Sequence, residues 1–116
     1  MTRSAYVAEL LRLYLEAPDT PRRPSRHDRR LAAELHRQSV ALEHLAHAIR
    51  LASLRRLHRP HPPIHSLAYY RAVLERLTDD ELEDRYVYYV RDAYQRRCLP
   101  SQPRPDSQKA ALSRRR

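Results

Sequence analysis

The chain has nine prolines and no glycine in 116 residues. Left-handed backbone is cheap only for glycine, so the primed turns of tight β-hairpins are hard to build here. Changes of direction fall instead to proline, which fixes its own φ and pushes its predecessor out of the helical region. Leu and Ala are plentiful, while Phe and Trp are absent. The expectation is an all-α protein: one compact bundle of about five helices over 1–99, followed by a disordered basic C-terminal tail at 100–116.

Apolar periodicity places helices at about 4–17, 25–37, 41–57, 66–77 and 79–97. In the first, Tyr6, Val7, Leu10, Leu13, Tyr14 and Ala17 share a face, and Ser4 is a candidate N-cap. Residues 18–24 form a stiff proline-rich connector. Ser25 and Asp28 then have capping-box spacing before a stripe of Leu31, Ala32 and Leu35. Beyond a break at Gln38–Val40, Leu42, Leu45, Ile49 and Ala52 share one face of the third helix, and Leu51, Leu54 and Leu57 point elsewhere. A helix apolar on nearly all sides is a buried one, so this is the expected hub.

Arg56 falls on an apolar face, where an unpaired Arg is rare, so a structural ion pair with Asp28, or with another acid, is expected. A second proline-rich connector, 58–65, precedes Ser66 as cap of a fourth helix with Tyr70, Val73, Leu74 and Leu77 inward. Thr78 and Glu81 form another capping box, and Leu82, Tyr86, Tyr89, Val90 and Ala93 make the stripe of the fifth helix. The tyrosines read as core and rim packing, with hydroxyls reaching water.

Net charge is +9, carried by 22 Arg and a single Lys, which suits a polyanionic partner such as DNA. GC-rich coding explains the preference for Arg over Lys as readily as guanidinium recognition does. Residues 18–59 hold ten Arg against four acids, whereas 78–99 are net acidic. Two nucleic-acid readings follow. One is a helix-turn-helix over 31–50 that presents Glu43, His44, His47 and Arg50 to base edges. The other is phosphate binding by Arg22, Arg23, Arg26, Arg29 and Arg30, with Arg114–Arg116 adding to it. Against them stand an ordinary helix pair in a bundle and a solvated charged face neutralised by pairs such as Arg30–Glu34.

Other chemistries find little footing. Cys98 is alone, which excludes an intramolecular disulfide and a cysteine-based zinc site. His44 and His47, and His58, His61 and His65, lack the carboxylate or Cys that would complete a metal spacing. The HxxR matches His27/Arg30 and His47/Arg50 are expected by chance in so Arg-rich a chain. Without glycine there is no phosphate-cradling loop. The expectation is a non-catalytic protein without cofactor or metal. No segment has the ~20 apolar residues that cross a bilayer, and Glu9, Arg12 and Glu16 interrupt the first apolar run, so a cytoplasmic protein is expected.

The stretches LYLEAPDTPRRPSRHDRRLAAEL, AIRLASLRR and PPIHSLAYYRAVLERL, with the cluster Tyr86–Val90, resemble an uncharacterised helical segment of GC-rich bacterial genomes. That segment is associated with replication or mobile-element proteins. The resemblance covers roughly residues 6–94, with Ser39 in place of the usual Gly at the turn. It implies a DNA-handling context and carries over no catalytic residue. The rival classes are a protein-interaction bundle and a non-catalytic remnant of a larger element-encoded protein.

Overall fold

The computed structural model describes residues 1–99, and the tail expected at 100–116, with its Arg114–Arg116 contribution, lies outside the described residues. Five α-helices follow in order: α1 Arg3–Glu16, α2 Arg26–Arg37, α3 Leu42–Arg55, α4 Ala68–Glu75 and α5 Asp84–Arg97. Short 3₁₀ turns at Arg56–His58 and Asp80–Leu82 follow α3 and precede α5. No strand occurs among the described residues.

The hub is α3, which packs against α1, α4 and α5, while α2 packs on α1. Leu45, Ala46, Ile49 and Ala52 of α3 join Leu10, Tyr14, Leu35, Leu67 and Tyr70 in the main core. On the side facing α5, Ala48 and Leu51 are buried, as are Val90, Ala93 and Tyr94 of α5. The predicted stripe of α5 is corrected at two positions. Leu82 falls in the 3₁₀ turn before the helix, and Tyr89 is 60 % exposed while Tyr94, one turn on from Val90, takes the inward place. The Thr78–Glu81 box does form, through Thr78 N–H to Glu81 Oε1 (2.9 Å) and Glu81 N–H to Thr78 Oγ1 (3.3 Å). It caps the 3₁₀ turn, however, and the extended backbone of Glu83 (ψ 139°) separates that turn from α5.

The starts of α1, α2 and α4 carry local side-chain hydrogen bonds, whereas α3 has no side-chain cap. Thr2, not Ser4, caps α1, its Oγ1 accepting from Ala5 N–H at 3.1 Å. Ser25 and Asp28 make the reciprocal box at α2, with both bonds at 3.0 Å. Ser66 Oγ accepts from Ala68 N–H at 3.0 Å at the start of α4.

The two proline-rich connectors are tied to each other and to the helices beside them. Asp28 is buried, and its second oxygen accepts from Leu67 N–H at 2.9 Å, joining the start of α2 to the start of α4. The carbonyl of Asp19 accepts from Ile64 N–H at 2.8 Å. The Asp28–Arg56 pairing is therefore corrected. Arg56 reaches Asp19 (3.3 Å) and the Pro62 carbonyl, while the Asp28 carboxylate is taken up by two backbone N–H groups. An acid does meet Arg56, but from the first connector.

The tyrosine expectation also changes. Tyr6 donates to the Val40 carbonyl at 2.8 Å, whereas the hydroxyls of Tyr14, Tyr70 and Tyr94 are buried without a protein partner. In a chain without Phe or Trp, Tyr is the only large aromatic available to fill the centre. Burial raises all three phenols, Tyr14 to about 12 with help from the Asp28 charge.

Candidate nucleic-acid interface

The start of α2 gathers the densest cationic surface. Pro21 and Pro24 keep residues 22–24 out of the helix, and the Ser25–Asp28 box then fixes where the helical turns begin. Arg22, Arg23, Arg26, Arg29 and Arg30 are all exposed. None of the five has a carboxylate within ion-pair distance among the described residues.

The expected Arg30–Glu34 neutralisation does not occur. Glu34 instead pairs with Arg37 and accepts from Gln38 Nε2 at 2.8 Å. Glu placed N-terminal to its cation is the better helical arrangement, and Arg37 supplies it at i,i+3. The Arg37 guanidinium holds the Glu34 carboxyl below its ordinary range. Arg30 is left to solvent on a groove shared with Arg3.

Elsewhere, several cations are matched. Arg12 sits between Glu9 (2.6 Å) and Glu16 (3.2 Å), Arg55 pairs with Glu81, and Arg96 meets Asp92 at 3.1 Å. Arg3, Arg50, Arg59, Arg76, Arg85, Arg91 and Arg97 also lack a carboxylate within ion-pair distance among the described residues, so the α2 start stands out by how closely its bare arginines follow one another in the chain.

The helix-turn-helix residues are not assembled. His44 and Glu43 are exposed, but His47 is fully buried and Arg50 is half-buried. The His47 Nε2–H donates to the Glu81 carbonyl at 2.7 Å, under the segment that leads into α5. A carbonyl only accepts, so the imidazole is the Nε2–H tautomer and Nδ1 is bare, with no protein partner. Burial lowers the His47 pKa, outweighing the pull of the Glu81 carbonyl, with Arg50 and His44 adding to the depression. The groove-reading assignment of His47 is corrected for that reason: α3 spends that face on α5. In addition, α2 packs mainly on α1, so it does not prop α3 in the way a reading helix needs.

Sequence reasoning passed over two exposed aromatic features. Tyr88 is 66 % exposed with the Arg91 guanidinium 5.0 Å from its ring centre, a contact foreshadowed by their i,i+3 spacing. Tyr69 is 39 % exposed beside Arg56, a juxtaposition no local spacing signals. Among the described residues no group of three His, Cys, Asp or Glu is placed to hold a metal ion, and no helix is long and apolar enough to cross a membrane.

No protein-family model, no curated protein and no solved structure matches the chain.

Proposed function

We propose that the protein is a non-catalytic nucleic-acid-binding module that grips phosphates through Arg22, Arg23, Arg26, Arg29 and Arg30, in a replication or mobile-element setting. The observation that carries this reading is that five exposed arginines without carboxylate partners among the described residues fall in one short segment at the start of α2. Guanidinium groups fork onto phosphate oxygens, and the positive end of α2 adds its dipole to the same surface. The chemistry is backbone contact, which positions a duplex without reading its sequence.

The test is fluorescence anisotropy of a labelled random-sequence DNA duplex titrated with the full chain over a range of salt. The expected result is a steep loss of affinity with salt, each phosphate contact adding about 0.9 to the logarithmic slope. Replacing Arg26, Arg29 and Arg30 with Gln should flatten that slope by about one per residue. No binding at low ionic strength, or a slope unmoved by the substitutions, overturns the reading.

A second reading is favoured by α5. Its outer face carries Tyr88 and Tyr89, both more than half exposed, with Arg91 against Tyr88. Tyr and Arg are the residue types that dominate protein-interface hot spots, so a protein partner on α5 fits this surface. Loss of a pulled-down partner on Tyr88→Ala, with DNA binding unchanged, would assign that face to protein.

A further inference from the structure

A cavity of about 420 Å³ lies between the C-terminal half of α3 and α4, within the roughly 300–1,000 Å³ of small-molecule sites. Ala52 and Val73 form its apolar part, and Tyr69, Arg56, Arg76 and His61 its polar part. No carboxylate is among the side chains that line it. Arg56 is held in place by Asp19 and the Pro62 carbonyl, with its guanidinium 5.7 Å from the centre of the Tyr69 ring. Tyr69 is braced edge-on by the buried Tyr70, with centroids 5.2 Å apart and planes at 88°. The result is a fixed aromatic–guanidinium pair at the mouth of an apolar recess. Beside it, Arg76 is exposed and has no carboxylate partner among the described residues.

The chain around the cavity is also tied by hydrogen bonds to the segment that carries the α2 arginines. Both ends of the segment carrying Arg22, Arg23 and Arg26 are pinned to the chain around the cavity. Asp19 bonds Arg56 and Ile64, and Asp28 bonds the Leu67 amide.

We infer that this cavity binds an unpaired nucleotide, its base against Tyr69 and Arg56 and its phosphate on Arg76 and His61. The inference rests on the nucleic-acid reading above for its occupant and on the cavity itself for its chemistry. A flat π-face suits the aromatic–guanidinium pair, an anion suits the cationic rim, and a base inside a duplex cannot enter. The ligand chemistry has two sources, the unpaired end of a strand and a free mononucleotide.

The experiment compares three probes on the full chain: a blunt DNA duplex, the same duplex with a short single-stranded overhang, and deoxyadenosine 5′-monophosphate followed by NMR of the tyrosine rings. The expected result is roughly tenfold tighter binding of the overhang duplex than of the blunt one. Tyr69→Leu and Arg76→Gln should abolish that preference and leave blunt-duplex affinity unchanged, while Tyr69→Phe keeps it. Arg26, Arg29 and Arg30 substitutions should weaken both duplexes equally. Thermal melts of each variant exclude loss of fold, and Arg76→Gln, at an exposed position, keeps the test valid if Tyr69→Leu is unstable. Mononucleotide shifts that depend on Tyr69, without an overhang preference, assign the pocket to free nucleotide. If neither probe depends on Tyr69 or Arg76, the inference is overturned, although blunt-duplex binding by the α2 arginines would still stand. Tyr69-dependent mononucleotide binding without duplex binding would instead overturn the phosphate-grip reading and keep the pocket.

Discussion

At the scale of single residues, Asp28 holds more of the structure than its position in a cap suggests. One carboxylate oxygen accepts from the Ser25 amide and the other from the buried Leu67 amide, so one side chain caps α2 and anchors α4. Asp28→Ala removes the cap bond and strands a buried N–H, and we expect a loss of about 3 kcal/mol in urea denaturation. Asp28→Asn keeps one acceptor and should cost less; equal losses would mean that the Leu67 bond contributes little. His47 adds a pH dependence. Its pKa is lowered by burial in the folded chain, against an ordinary value of 6.5 when unfolded. The neutral ring's contribution is therefore fully present above 6.5 and is lost as pH falls below that value, when the unfolded chain takes up a proton that the folded one refuses. Stability should fall by up to about 1.4 kcal/mol per pH unit in that window. His47→Gln, which retains a donor for the Glu81 carbonyl, should flatten this dependence; an unchanged pH profile would exclude His47 as its source.

At the scale of elements, the absence of glycine leaves a mark at the end of α2. The Val40 amide bonds the Leu35 carbonyl (3.0 Å) and the Ser39 amide bonds that of His36 (2.9 Å), which is the Schellman pattern. The pattern needs a left-handed residue, and Ser39 supplies it at φ 60°. A side chain there costs about 1 kcal/mol. Ser39→Gly should therefore raise stability by several tenths of a kcal/mol up to about 1, in the same denaturation assay. A destabilised Ser39→Gly would show that the serine side chain has a role beyond tolerance of the turn. Asp19, at φ 66°, meets the same demand after α1, but its carbonyl and carboxylate both serve the connectors, so no gain is expected from replacing it.

At the scale of the whole molecule, attachment is uneven. The helix α3 touches α1, α4 and α5, whereas α5 is held by α3 and by the turn before it, with His47 and Arg55 reaching Glu81 as polar fasteners. The α1–α3 core should thus be the last part to open, and α5 an early one. Native-state hydrogen exchange is expected to show α5 amides opening at lower free energy than those of Leu45–Ala52, and uniform protection would contradict this. Charge is uneven in the same way. Bare arginines crowd the α2 start, while the acids of 79–84 precede α5.

What the sequence by itself determined was local. Five helices, both capping boxes, the connectors and the hub character of 42–57 were legible because helical period, cap chemistry and proline act over three or four residues. The exposed arginines at 22–30 belong to the same class, since a charged run beside prolines needs no distant partner to stay in water. Tertiary structure decided which acid meets Arg56, because Asp19 and Asp28 are equivalent candidates until the connectors cross. It also decided that His47 faces inward, since it stands between Glu43 and Arg50 in sequence and is buried only by the return of 78–94. The Tyr69 cavity is of the same kind: its walls come from two helices and a connector, and no periodicity within either helix encodes the space between them.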